Sequence, residues 1–138
     1  MSQLTESGLK LYAELRGHER AEHMRNAIES EDFGAAMTTL AMDFVFGSVW
    51  MRGGLDRKSR SLVTIGILIA LRQSEELKNH IRIGITNGLT VREIDEALTH
   101  AAVYAGFPAA HSAYNVTKEV LRELGLKLQS TPLDGDIS

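Results

Sequence analysis

The sequence predicts an all-α protein of about six helices. Strand patterns are nearly absent, because no alternating run of apolar and polar residues is flanked by Asn-Gly or Gly-Gly turns. Helix starts and stops, in contrast, recur along the chain. A length of 138 residues corresponds to one domain, which we place at residues 1–125. Residues 126–138 are rich in turn formers and are expected to form a flexible tail.

The N-terminal part of the chain is expected to form two helices. Residues 5–29 are rich in helix formers and contain a mild break at Gly17. Ser30 is expected to cap the next helix, because the acidic residues that follow it favour the positive end of a helix dipole. This second helix is predicted over about residues 33–49.

A Gly53-Gly54 pair separates this part from a more apolar stretch. Asp56 is expected to cap a third helix that reaches about Arg72 and is apolar on every side after its first turn. We therefore expect this helix to be the buried central element. Ser74 is expected to cap a fourth helix, which ends at Gly88, a residue suited to the left-handed C-terminal position.

The last two helices have well-marked ends. Thr90 and Glu93 form a capping-box pattern that begins a fifth helix, and this helix ends at Gly106. Pro108 falls in the first turn of a sixth helix, where proline is tolerated, and Gly125 closes it.

Composition excludes several classes of function. The chain has no cysteine, which excludes disulfides, thiolate metal sites and dithiol redox chemistry. A net charge of −3 provides no basic surface for nucleic acid. The longest apolar run, residues 62–71, is too short for a membrane span, which needs about 20 residues. The N-terminal residues lack the pattern of a signal peptide, so we expect a soluble cytoplasmic protein.

The strongest catalytic candidates lie on the fourth predicted helix. Glu76 and His80 are four residues apart and share one edge of the apolar face that contains Leu77, Ile81 and Ile85. A carboxylate beside an imidazole can fix the ring tautomer and favour its charged form, as an acid/base pair requires. The alternative is an ordinary surface ion pair.

Trp50 and Arg52 are candidates for binding substrate. They follow the second predicted helix, where a tryptophan could stack on a planar ligand and an arginine could pair with its carboxylate. Equally, Trp50 could fill a helix junction while Arg52 lies in solvent. Arg60, in the first turn of the third helix, is expected to have a partner, because an unpaired buried charge is costly.

The other histidines are weaker candidates. His18 and His23 lie in a polar helix and are expected to be solvated. His100 and His111 lie on helix flanks and would join a site only at a subunit boundary. No pair of histidines has a spacing suited to a metal, and no glycine pattern suits a nucleotide, so no metal or nucleotide site is predicted.

Several motifs between residues 46 and 110 resemble one family. They are Phe-Gly-x-Val-Trp-x-Arg-x-Gly-Leu, Arg-Ser-Leu-Val-Thr-Ile, Glu-Glu-Leu-x-x-His-Ile-Arg, Asn-Gly-x-Thr and Ala-Val-Tyr-Ala-Gly-Phe-Pro-Ala-Ala. This order resembles the carboxymuconolactone decarboxylase family, which also contains alkylhydroperoxidase-like proteins. The peroxidase cysteines correspond here to Gln73 and Glu76, and the relay glutamate to Ser61. Thiol peroxidase activity is therefore excluded.

The resemblance implies a cysteine-less decarboxylase-type protein. It implies an alkylhydroperoxidase-like helical fold around an antiparallel hairpin, and a homo-oligomer, trimer or hexamer, with sites between subunits. The implied reaction, known from aromatic-acid catabolism, removes carbon dioxide from a carboxylated muconolactone. It needs no cofactor, because the unsaturated lactone accepts the released electrons. His80 would deliver a proton, Glu76 would orient it, and Arg52, with Trp50 and Arg60, would bind the substrate.

Two alternatives stay open at this point. The same site could serve a non-redox isomerase or cyclase that acts on another enolisable substrate. The chain could also be a non-catalytic binding or assembly subunit. A decarboxylase needs a cationic group that holds the departing carboxylate, whereas an isomerase pocket can be largely apolar.

Overall fold

The computed structural model describes residues 1–128, and every regular element in this range is helical, which confirms the predicted all-α class. By contact, the chain divides into two compact units, residues 1–57 and the part that begins at Lys58. No helix in the described range is long and apolar enough to cross a membrane. The helices are α1 (Gln3–Arg16), α2 (His18–Ser30), α3 (Ala35–Leu40), a π-helical segment (Ala41–Val49) that continues α3, α4 (Arg57–Ala70), α5 (Ser74–Thr86), α6 (Val91–Ala105) and α7 (Phe107–Glu123).

The first unit is built on the close packing of α1 against the π-helical segment. A Cβ atom added at Gly8 would overlap the carbonyl oxygen of Met42 and lie 2.7 Å from its carbonyl carbon. A Cβ atom at Gly47 would lie 2.7 Å from the carbonyl oxygen of Leu4. The two backbones therefore approach each other at positions where only glycine fits.

Two details of the first unit differ from the sequence expectation. The break at Gly17 is complete and separates α1 from α2, because Gly17 has a φ of +97°. Ser30 does not cap the following helix. It ends α2, where its hydroxyl donates to the carbonyl of Ala27 and accepts from the amide of Asp32. α3 begins later, after Gly34, because Glu31 takes the left-handed conformation that ends α2.

In the second unit, α4 and α5 form the predicted antiparallel hairpin. Near the open end, Asn87 Nδ2 donates a hydrogen bond of 2.9 Å to Ser61 Oγ. One turn further along, a Cβ atom at Gly84 would lie 3.4 Å from Ile65 Cδ1. The core of this unit combines residues of α4 to α7, namely Ile65, Ile69, Leu77, Ile81, Leu89, Ile94, Leu98, Ala113, Val120 and Leu121.

The expectation that α4 is buried on every side is wrong within one chain. Its buried positions are Ser61, Ile65 and Ile69, which lie on one face. Val63 and Ile67 stand about half exposed, at 53% and 51%. The other helices of this unit cover only one face of α4. Apolar residues on its other faces therefore stay exposed, although the helix is apolar all round.

Most helix ends of the second unit follow the sequence prediction. Gly88 has a φ of +100° directly after the C-cap residue of α5, and the capping box of Thr90 and Glu93 is complete at the start of α6. Ser74 is the exception. It is the first helical residue of α5, Gln73 is the N-cap, and no side chain caps this end.

α6 and α7 are joined at Gly106, as predicted. Gly106 has a φ of +93° and lies between the two helices, while Pro108 falls in the first turn of α7. α7 ends at Glu123, and Gly125 follows with a φ of +71°, which agrees with the predicted stop. The predicted tail lies, from residue 129 on, outside the described residues, and the single-domain boundary at residue 125 stays a prediction.

Candidate active site

α5 presents a buried apolar face and places His80 at its edge. Leu77 and Ile81 are buried, as the helical spacing predicted, and Gly84 is buried beside them, while Ile85 is half-buried. Ile83 is also buried, at 2% exposure, so the buried surface of α5 is wider than a single stripe. His80, between these positions, has a side chain that is only 12% exposed. Its imidazole is therefore held largely out of water.

Glu76 lies beside His80 in a looser arrangement. Glu76 Oε2 is 4.0 Å from His80 Nε2, and the Glu76 side chain is 61% exposed. Its other carboxylate oxygen accepts a hydrogen bond of 3.4 Å from Asn79 Nδ2. The predicted pair is thus present in space, but solvent screens the carboxylate and the distance is at the limit of an ion pair. His80 is the better placed of the two for chemistry.

The opposite side of α5 is occupied by ion pairs with α7. Arg82 Nη2 lies 2.6 Å from Glu123 Oε2, and Lys78 Nζ lies 3.5 Å from Glu119 Oε2. These contacts agree with the expectation that Arg82 is a surface charge, turned away from the face of His80.

Trp50 and Arg52 belong to the first unit and directly follow its π-helical segment. The Trp50 amide donates to the carbonyl of Val45 at 2.9 Å, a bond to the fifth residue back that ends the π-helical turns. Trp50 is buried at 7% exposure, while Arg52 is exposed. The burial favours the interpretation of Trp50 as a packing residue, and the binding role of both residues stays a prediction.

Arg60 and the serine that follows it lie in the first half of α4, in the second unit. Arg60 is half-buried, and its carbonyl accepts a hydrogen bond of 2.8 Å from Thr64. Ser61, at the position of the peroxidase relay glutamate, is fully buried and accepts the hydrogen bond from Asn87. Local sequence patterns do not predict this bond, because it joins residues 26 positions apart.

The remaining histidines lie at the surface. His18, His23, His100 and His111 are all exposed. His100 nevertheless lines a groove between α4 and α6, a feature that the helical spacing of residues does not predict. In residues 1–128, no group of three histidine, aspartate or glutamate side chains lies close enough to hold a metal ion.

An imidazole held at the edge of an apolar face can do specific chemistry. Its low exposure weakens competition from water, so a proton donated by the ring, or a hydrogen bond to a developing oxyanion, has more effect than it would in bulk solvent. An exposed arginine such as Arg52 can bind a carboxylate. The imidazole of His80 suits a reaction in which an anion forms and is then protonated.

Residues 35–119 match the carboxymuconolactone decarboxylase family. This range includes the π-helical segment, the hairpin of α4 and α5, and His80 with Glu76. The chain belongs to the carboxymuconolactone decarboxylase family, and the expectation drawn from the motifs is confirmed.

Several known proteins resemble most of the chain. It is 38% identical to a 4-carboxymuconolactone decarboxylase of Acinetobacter baylyi over 120 residues, which cover 86% of this chain and 87% of the relative. It is 39% identical to the nitrosuccinic acid decarboxylase npaB of Metarhizium robertsii over 122 residues, which cover 88% and 83%. An uncharacterized 15.0 kDa protein of Paracoccus denitrificans is 30% identical, with 87% and 97% covered.

Proposed function

We propose that this protein is a decarboxylase that acts on a small carboxylated molecule. The observation that carries the proposal is the similarity, over more than four fifths of each chain, to two proteins that are both named decarboxylases. The absence of cysteine agrees with this branch and excludes thiol peroxidase activity.

The names of the two relatives share a chemical feature. In nitrosuccinic acid a carboxyl group lies on the carbon that bears a nitro group, and in a carboxylated muconolactone an unsaturated lactone lies close to the carboxyl group. When the bond to carbon dioxide breaks, the electron pair moves into the nitro group as a nitronate or into the lactone as a dienolate. A proton must then reach carbon. The proposed substrate class is a carboxylic acid with such an electron acceptor.

The residues can be assigned to this sequence of events. Arg52 binds a carboxylate of the substrate, with Trp50 and Arg60 as further candidates for the binding surface. As the carbon–carbon bond breaks, the imidazole of His80 stabilises the growing negative charge and then donates the proton to carbon. Glu76 is a positioning residue, because its exposed carboxylate reaches the ring only at 4.0 Å.

The particular substrate is proposed to be a carboxylated muconolactone in aromatic-acid catabolism, in the cytoplasm. A direct assay compares carbon dioxide release from 4-carboxymuconolactone with release from nitrosuccinic acid. Release from either, with saturation kinetics, supports the proposal, and the ratio of kcat/KM values identifies the better substrate. If neither acid releases carbon dioxide but an enolisable lactone is isomerised, the protein is instead an isomerase.

We also propose that the protein works as a homo-oligomer, a trimer or hexamer as the family resemblance implies. The supporting feature is a stripe of exposed apolar residues along α4 and its C-terminal end, formed by Val63, Ile67 and Leu71 at 53%, 51% and 62% exposure. Residues four apart lie on one side of a helix, so this stripe is continuous. Sedimentation equilibrium tests the proposal, and a stable 15.2 kDa monomer at micromolar concentration would contradict it.

A further inference from the structure

A groove between α4 and α6 lies within the second unit and has a volume of about 650 Å³. Its floor is made of small side chains from both helices. On α4 these are Gly66 and Ala70, and on α6 they are Ala97, Ala101 and Ala105. Small residues spaced three to four apart leave an open trough along a pair of helices. The volume lies within the range of about 300–1,000 Å³ that small-molecule sites occupy.

One edge of the groove is polar, and its groups repeat every four residues along α6. In order they are Arg92, Glu96, His100 and Tyr104. The last two rings form a tilted pair with centroids 5.2 Å apart. Residues four apart are neighbours on a helix surface, and all four side chains line the groove, so a molecule lying in the trough would meet them in turn.

The charges along this edge balance each other. Glu93 also lines the groove, but its carboxylate binds Lys58 at 2.8 Å and accepts from the amide of Thr90. Both hydrogen bonds hold the pKa of Glu93 below its usual value, and the one from Lys58 has the larger effect. With Glu93 engaged in this way, the edge carries one cation and one anion, Arg92 and Glu96. It therefore provides no excess positive charge for an anionic ligand.

We propose that the α4/α6 groove is a second small-molecule site, which takes an uncharged, planar ring compound with a hydroxyl group at one end. The apolar trough receives the ring. The exposed pair of His100 and Tyr104 stacks against it, as aromatic rings do in offset or tilted contacts. The hydroxyl donates to the carboxylate of Glu96. This site is built entirely from α4 and α6, and it uses none of the residues assigned to decarboxylation.

The polar edge favours a small molecule over a second copy of the chain as occupant. Acidic side chains such as that of Glu96 are depleted at subunit interfaces, because burying a charge without a partner is costly. The Arg92, Glu96 and His100 series runs along the groove itself, whereas the stripe of Val63, Ile67 and Leu71 carries no charge. The two surfaces of α4 thus suit different partners.

The test uses the full-length protein and the fluorescent probe 2-naphthol, a flat uncharged ring compound with one hydroxyl. Binding is expected with a Kd on the order of 0.1 mM, a value reasonable for a ligand of this size. The matched probe 2-naphthoate has the same rings but a negative charge, and it is expected to bind at least about tenfold more weakly. Because 2-naphthoate can also bind at the proposed active site, only binding that Gly66→Leu weakens is counted, and equal or tighter binding of 2-naphthoate by that measure would overturn the proposed ligand class.

Substitutions at Gly66 locate the site. A Cβ atom at this position meets nothing within 4 Å, and Gly66 lines the trough, so the larger side chain of Gly66→Leu is expected to occupy the open space. Gly66→Leu is expected to weaken 2-naphthol binding at least about tenfold, while the matched Gly66→Ala keeps it. His80→Ala should bind 2-naphthol normally, which separates this site from the proposed active site.

Two results would refute the proposal. Gly66→Leu could bind 2-naphthol as well as Gly66→Ala, in which case the probe lies elsewhere. Alternatively, Gly66→Leu could lower the sedimenting mass of the protein, in which case the groove is an interface between copies of the chain.

An additional variant, His100→Leu, should weaken binding by about twofold to tenfold, since it loses one aromatic contact and a hydrogen-bonding group.

Discussion

The two members of the Glu76/His80 pair should contribute very unequally to turnover. Removing the imidazole with His80→Ala takes away the proposed proton donor, a loss that usually lowers the rate by about 10² to 10⁴. Glu76→Gln removes only a charge that is 4.0 Å from the ring and 61% exposed. Exposed pairs of this kind are worth about 0.2–1 kcal/mol. Because 1 kcal/mol corresponds to about a fivefold change in rate, we expect Glu76→Gln to reduce kcat no more than about fivefold.

The assay is carbon dioxide release at saturating substrate, with circular dichroism to show that each variant is folded. Glu75→Gln is a matched control, because Glu75 lies on the same turn of α5, is 89% exposed and contacts Lys78 instead of His80. It should leave kcat unchanged. The comparison therefore separates the effect of the Glu76 carboxylate from that of any negative charge at the start of the helix.

Two outcomes would refute this reasoning. If folded His80→Ala keeps near wild-type turnover, the imidazole is not the proton donor, and the site must be rebuilt around another histidine. If Glu76→Gln lowers kcat as much as His80→Ala, the two residues act as one unit. The carboxylate would then be closer to the ring and less solvated during turnover than in this structure.

Further predictions concern binding, packing and acid stability. In steady-state kinetics, Arg52→Ala should raise the KM and change kcat less than about threefold, because the lost contact binds the substrate and the transition state equally well. A large fall in kcat would contradict this role. Gly8→Ala should lower the thermal midpoint of unfolding by roughly 10 °C. The added Cβ atom would overlap the backbone carbonyl of Met42, and overpacking of this kind costs about 1–3 kcal/mol. Gly66→Ala is the control, because a Cβ atom at this helical position meets nothing, and it should raise the midpoint slightly. Similar midpoints for both variants would refute the packing argument. Thr90→Ala should cost about 1 kcal/mol in denaturant unfolding, and an unchanged free energy would show that the cap is not stabilising. Because the pKa of Glu93 is lowered from 4.5 in the folded protein, its stabilising contribution is present above pH 4.5 and is lost as the pH falls through the folded pKa. Thermal midpoints between pH 6 and pH 3 should therefore fall less for Glu93→Gln than for the wild type, and equal falls would contradict the assignment.

Local patterns and composition were enough to predict the helical class, the family and most helix ends of the second unit. Gly88, Gly106 and the capping box of Thr90 and Glu93 were predictable because each depends on backbone conformation and on partners within a few residues. The absence of cysteine also excluded thiol peroxidase chemistry, and this conclusion follows from composition without any structure.

The burial of individual apolar and polar groups, in contrast, depends on how the helices pack. Val63 and Ile67 belong to the same apolar helix as Ile65, yet only Ile65 meets the core. Likewise His80 and Glu76 share one helix edge but differ about fivefold in exposure, 12% against 61%. Burial depends on segments that are distant in sequence, and the local spacing of residues carries no information about where those segments pack.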